Sequence, residues 1–248
     1  MNKTIYLLWF QGIDKAPEVV KRCIQSWKHY NEKDDWNIVI LDNSNLTEYV
    51  QLDKYIDMKN KNINPTALSD VVRLILLTTY GGVWADATTF CNKPLSNWLP
   101  NYSQTGFFAF EKPAAGRLLS TWFLYSEKGH YITNAWLQAT INYYKARNSP
   151  HTYFWVHQLF GTLYQTDKRF KELWDKTPKL PANGLGPHYL QQKGYFNNMT
   201  PDIKTTIDTK QIPLYKLTYK CTFQPYNERK LIYYLYTTIN LQHIAPIE

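Results

Sequence analysis

The chain has 248 residues, 44% of them hydrophobic, and a formal charge of 28 − 20 = +8. That size and apolar fraction exclude a disordered segment and a small scaffold dependent on staples. The positive balance favours anionic partners. The basic residues are nevertheless scattered and form no nucleic-acid module, so a phosphate-bearing substrate handled near a membrane is expected and nucleic acid is not. Aromatic residues make up 16% of the chain (20 Tyr, 9 Trp, 11 Phe), which suits sugars and nucleobases as well as an ordinary core. Cys23, Cys91 and Cys221 are odd in number and far apart, so neither a zinc knuckle nor a disulfide framework is suggested, and a reducing compartment is expected. The apolar run Ile5 to Phe10 is too short for a signal-peptide core, and no segment approaches about 18 apolar residues. The expectation is a cytosolic protein, with peripheral attachment to the inner face of the cell membrane as a further reading.

Lys3 to Phe10 is a strand candidate ending in the loop signal Gln11-Gly12. Pro17 opens a helix to about His29, whose buried stripe is Val19, Val20, Cys23, Ile24 and Trp27. Trp36 to Leu41 is nearly all apolar, as a parallel strand covered on both faces should be, and Asp42-Asn43 ends it. Asn64-Pro65 starts a second helix that reaches Tyr80 and stops at Gly81-Gly82. Val83 to Ala85 is a short strand with Asp86 at its carboxyl end. This strand–helix alternation predicts an α/β fold with a mostly parallel, Rossmann-like sheet, whose ligands bind outside the carboxyl ends of the strands. Trp9, Gln11, Asp42 and Asp86 all fall at such ends. Further along, helices are expected at Arg117–Glu127, Ile132–Ala146 and Phe154–Gln165, a loop at 183–188, and strands or extended segments from Tyr215 to Leu241. One domain over 1–248 is expected, with residues 1–95 binding the donor and 96–248 the acceptor.

Asp70 and Arg73 are neighbours on one helical face, and a surface ion pair is the plain reading. Their helix runs through two glycines, which permit close backbone approach, directly into Asp86-Ala87-Thr88. If Asp86 to Thr88 is extended, carboxylate and hydroxyl point to one side. There they can hold Mg²⁺ or Mn²⁺, which bridges the phosphates of a nucleotide. Arg73 can add a bidentate fork to the phosphates.

The run Ala67 to Thr89, with Ser69-Asp70, Arg73, Gly81-Gly82-Val83-Trp84 and Asp86-Ala87-Thr88, resembles bacterial capsular-polysaccharide-synthesis glycosyltransferases. These are related to the DXD-motif sugar transferases that include yeast-type mannosyltransferases and the glucosylating clostridial toxins. Trp9, Gln11-Gly12, Ala16-Pro17, Cys23, Ser26-Trp27 and Val39 to Asp42 extend the resemblance over about the first 95 residues. The resemblance implies a GT-A fold, a nucleotide-sugar donor such as a UDP-sugar, a divalent metal, and retention of anomeric configuration. It places Asp86 as the first DXD carboxylate, Asp70 at the donor sugar, Arg73 at the sugar–phosphate region and Trp9 at the nucleobase; Ser69 and Trp84 lie in the same donor segment. Thr88 departs from a strict DXD, although the capsular family itself tends toward Asp-Ala-Thr. With one carboxylate replaced by a hydroxyl, weaker metal binding is expected.

Lys216 and Lys220 are candidates to close over the diphosphate as a basic flap, although a solvated edge strand is the plainer reading of them. His188 is a candidate metal ligand or acceptor contact beside Asp86 and Thr88. His157 reads as a satisfied core or packing histidine, and Glu111 follows an apolar strand at a position that suits orienting the acceptor or the sugar. The acceptor is expected to be a glycan or polyprenyl-linked glycan of bacterial surface polysaccharide synthesis. A non-catalytic nucleotide- or carbohydrate-binding protein on the same fold is the alternative, and a basic membrane- or nucleic-acid-associated protein is the third reading.

Overall fold

The structure, a computed structural model, describes residues 2–220, 227 and 229–239. Strand β1 (Thr4–Leu8) leads through a 3-10 turn into α1 (Glu18–Asn31), with Pro17 as its N-cap rather than inside its first turn. β2 (Asn37–Leu41), the short α2 (Leu46–Tyr49), α3 (Pro65–Thr79), β3 (Gly82–Ala85) and β4 (Thr89–Cys91) follow. β5 (Phe107–Glu111) and β6 (Leu119–Ser126) precede α4 (Tyr131–Ala146), α5 (Trp155–Thr166) and α6 (Lys168–Lys176). α7 (Tyr189–Lys193), α8 (Pro201–Asp208), β7 (Leu214–Lys216) and α9 (Leu231–Thr237) complete the order.

The central sheet runs β2-β1-β3-β6-β5. β1 pairs in parallel with β2 and β3, while β6 is antiparallel to both β3 and β5, so four strands share one direction and β6 opposes them. β1 is apolar throughout because both its faces are covered: Ile5 and Leu7 join the core under α1, whereas Tyr6 and Leu8 join the core under α3 and α4.

α3 starts where Asn64 accepts a hydrogen bond from the Ala67 N–H (2.9 Å) with Pro65 at the first helical position. It ends as the Gly81 N–H reaches the Leu77 carbonyl (3.0 Å) and Gly81 turns left-handed at φ 73°. A Cβ on Gly82 would lie 2.6 Å from the Thr4 carbonyl oxygen, so only glycine lets β3 pass β1 here.

Two expectations fail. Arg117–Glu127 is not helical: residues 119–126 form β6, buried along its whole length between β3 and β5. With both faces covered, such a strand loses its two-residue alternation, and periodicity cannot separate it from a buried helix. The Tyr215–Leu241 stretch is strand only at β7; Leu231–Thr237 is helix α9, and residues 221–226, 228 and 240–241 lie outside the described residues. Cys221 is among these, while Cys23 and Cys91 are buried free thiols. No helix among the described residues is long and apolar enough to cross a membrane.

Candidate active site

β3 delivers Asp86 at its carboxyl end, beside the carboxyl ends of β1 and β2. The segment Asp86 to Thr88 is not extended: the Thr89 N–H bonds the Asp86 carbonyl (2.8 Å), making a tight turn between β3 and β4. The turn still brings the two side chains to one cation. Lys216, on β7, places its Nζ 3.0 Å from Asp86 Oδ2 and 2.6 Å from Thr88 Oγ1. β7 can do this because it pairs antiparallel with β4, Lys216 opposite Thr89.

The other carboxylate oxygen, Asp86 Oδ1, accepts the Trp84 indole N–H (3.1 Å) and lies 3.4 Å from Arg73 Nη2. Burial by itself raises the Asp86 pKa, but Lys216 and then Arg73, with the hydrogen bonds from Trp84 and Lys216, outweigh it and hold the carboxyl below its ordinary range.

Asp70 and Arg73 are no surface pair. They are 5% and 3% exposed, with Arg73 Nη1 3.1 Å from Asp70 Oδ1. Arg73 also donates to the Thr121 carbonyl (2.7 Å), the Ser69 carbonyl (3.2 Å) and Ser69 Oγ (3.0 Å), and its guanidinium lies 5.0 Å from the Trp84 ring centre. Every guanidinium nitrogen is thus engaged inside the protein, Nη2 lying beside Asp86. Ser69 and the fully buried Trp84 belong to the same supporting layer. Burial, opposed by Arg73 and reinforced by Asp86, raises the Asp70 pKa to about 7.

Aromatic side chains lie near the same strand ends. Trp9, directly after β1, meets Tyr219 edge-on at 5.2 Å, and its buried indole N–H makes no hydrogen bond among the described residues. Tyr153 is 63% exposed and Tyr219 43%. Partial burial, then Asp86 and Asp70, raise the Tyr153 hydroxyl pKa, which places it within electrostatic reach of the carboxylates. Lys220 sits about equally far from both rings, 6.0 and 5.9 Å, and does not touch Asp86. Gln11 is exposed at the same strand end. Asp42 caps its own turn by accepting the Ser44 N–H (2.7 Å) and hydroxyl (2.5 Å), and its other oxygen faces Gly12.

Within the expected metal set of Asp86, Thr88 and His188, the histidine has another partner. His188 Nδ1 is 3.1 Å from Asn183 Oδ1, and its ring packs 5.7 Å from Trp122. Burial first, then Lys216 and Arg117, lower its pKa to about 4. No group of three His, Cys, Asp or Glu side chains that could hold a metal exists among the described residues. The place between Asp86 and Thr88 already contains an ammonium, so the residues present do not fit a divalent ion there.

Three features were missed in the sequence. Thr121, whose carbonyl orients Arg73, lies in the segment read as a helix. Tyr153 and Tyr219 are single tyrosines in a Tyr-rich chain, with no local pattern to mark them. His157 packs edge-on against Phe154 (5.6 Å) as expected but is not satisfied: its buried Nδ1 has no hydrogen-bond partner among the described residues, and burial, Arg117 and Arg73 lower its pKa to about 3. Glu111 ends β5 as expected, with its carboxylate 3.9 Å from Lys112.

A strand-end carboxylate in a mixed sheet of this order, flanked by helices on both faces, defines a protein of glycosyltransferase fold. The apo-form glycosyltransferase GlyE of Streptococcus pneumoniae TIGR4 superimposes with a TM-score of 0.54, over 97% of this chain and 60% of that one, at 10% identity. The glycosyltransferase PaToxG gives a TM-score of 0.42 at 18% identity, over 69% of this chain and 73% of that one. The chain belongs to the capsular polysaccharide synthesis protein family, whose model matches residues 1–236. It is also 27% identical over 155 residues to the O-glycosyltransferase braB of Annulohypoxylon truncatum, covering 55% of this chain and 36% of that protein. The chain thus spans little more than a third of that curated relative's length.

Proposed function

We propose that the protein transfers a sugar from a nucleotide-sugar donor, a UDP-sugar in the first instance, to a hydroxyl of a glycan or polyprenyl-linked glycan in bacterial surface polysaccharide synthesis. The single observation that carries this reading is the Asp86 carboxylate, fixed at the end of β3 between two cations, partly open to solvent and within electrostatic reach of the exposed Tyr153. Support comes from membership of the capsular family and from the likeness to an O-glycosyltransferase.

In this reading the nucleobase lies against Trp9 and Tyr219, and the diphosphate meets Lys216. As the bond from the sugar C1 to the phosphate oxygen breaks, its electron pair stays on that oxygen and Lys216 stabilises the growing charge. The acceptor oxygen forms the new bond to C1, and its proton passes to the departing phosphate oxygen on the same face, giving retention. Both carboxylates support that route. Asp70 is paired with Arg73, and Asp86 is held by Arg73 and Lys216, so neither is offered as a base for the opposite face.

The test is a screen of nucleotide sugars for turnover, with Asp86→Asn beside the wild type. Transfer or donor hydrolysis lowered by about two orders of magnitude or more in the variant supports the proposal. A donor that binds both proteins but is turned over by neither would make the protein a nucleotide-sugar binder.

A further inference from the structure

We infer that Lys216 is the resident cation of the donor site, so that a nucleoside diphosphate is held and neutralised without a divalent ion. The inference rests on the donor-site reading above and deepens it.

The ammonium takes the position in which a metal would be sought. It bridges Asp86 Oδ2 (3.0 Å) and Thr88 Oγ1 (2.6 Å), the side chains that bound the turn after β3. Both are hard oxygen ligands, and an ammonium is a compact, strongly hydrated point charge that satisfies such oxygens as a small ion does. It has three N–H donors. Two are spent on Asp86 and Thr88, and the third remains for a phosphate oxygen.

This lysine is built into place. Its backbone N–H donates to the Pro187 carbonyl (2.9 Å), the Tyr195 hydroxyl donates to its carbonyl (3.0 Å), and the next N–H, of Leu217, donates to the Thr88 carbonyl (2.9 Å). The side chain is 18% exposed and Asp86 28%, so one edge of the pair is open to a ligand while the rest is enclosed.

Charge and space then work against a second cation. Asp86 Oδ1 is engaged by Trp84 and Arg73, so an incoming ion is left with Oδ2. A metal bound there at about 2.1 Å would lie within about 5 Å of an ammonium that shares the same oxygen, with Arg73 close behind. Thr88 supplies the complementary half of the design. A second carboxylate at that position would demand more positive charge than one lysine provides, whereas a hydroxyl leaves Asp86 and Lys216 balanced one to one.

Calorimetric titration with UDP, GDP, CDP and ADP, in EDTA and then in Mn²⁺, tests the inference without a turnover assay. The nucleotide that binds tightest should do so in EDTA within about threefold of its affinity in Mn²⁺. Lys216→Met should weaken binding in EDTA by about tenfold or more, as expected for a lost charge-assisted hydrogen bond, with its melting temperature showing that it folds. Wild-type affinity that falls more than about tenfold on chelation overturns the inference, and so does a folded Lys216→Met protein that binds as the wild type does in EDTA. The chelation arm needs no variant and decides the matter should Lys216→Met fail to fold. Binding that requires metal overturns this inference alone, whereas no binding of any nucleotide in either condition overturns the donor reading beneath it.

Discussion

The Trp27 indole N–H donates to the carbonyl of Thr89 at 2.7 Å, joining the middle of α1 to the residue that follows the Asp86–Thr88 turn. Its neighbours do the same work. Ser26 Oγ accepts the Cys91 N–H (2.8 Å), and Asn31 Oδ1 accepts the Leu95 N–H (2.9 Å). One face of α1 thus sets where β4 begins, and β4 in turn receives β7 and Lys216.

Trp27→Phe keeps most of the buried ring but leaves the Thr89 carbonyl without this donor. The expected cost is about 1–3 kcal/mol of stability, from the unsatisfied buried group. Turnover should fall by about tenfold below the melting range, since the turn that carries Asp86 loses its tether. Paired denaturant melts and initial rates at low temperature separate the two effects; an unchanged rate would deny α1 its positioning role.

Asp70 gives stability an unusual pH dependence. Its pKa is about 7 in the fold against an ordinary 3.8, so between these values the folded protein holds a proton that the unfolded chain has released. The contribution of Asp70 to stability therefore falls as pH rises through that window and is constant above it, opposite to the behaviour of an exposed, ion-paired aspartate. Asp70→Asn removes the slope. Between pH 5 and pH 7, two units, the wild type should lose about 2–3 kcal/mol relative to the variant, measured by urea unfolding of both proteins. Parallel curves would place the Asp70 pKa in the ordinary range.

Gly82→Ala should be among the most damaging small substitutions. The added methyl would lie 2.6 Å from the Thr4 carbonyl oxygen, at a backbone φ of 103° that L residues rarely adopt. A loss of about 2–4 kcal/mol follows from the clash and the strain together. A melting temperature within a few degrees of the wild type would contradict the pairing of β1 with β3.

The parallel half of the sheet was legible because its signals are local. An Asn-Pro cap, a double glycine and uninterrupted apolar strands mark α3, β1 and β2 at single positions in the chain. The gathering of Asp70, Arg73 and Asp86 was legible for a similar reason: one helix, one turn and one strand connect them. β6 was misread because burial on both faces erases alternation, leaving only length and composition to tell strand from helix. The depth of Asp70 and Arg73 was hidden as well, since an i,i+3 ion pair has the same spacing on a surface as in a core. Lys216 was visible as a lysine, but its bond to Asp86 spans 130 residues, and that partnership depends on β7 pairing with β4.

That pairing also imposes an order of events on a growing chain. When synthesis has reached Ser126, all five strands of the central sheet have been made, but the strand that brings Asp86 its lysine has not. Until residues 214–217 emerge and dock, the carboxylate faces Arg73 alone. A chain ending before residue 214 would therefore contain every strand of the central sheet and lack one of the two cations that hold Asp86.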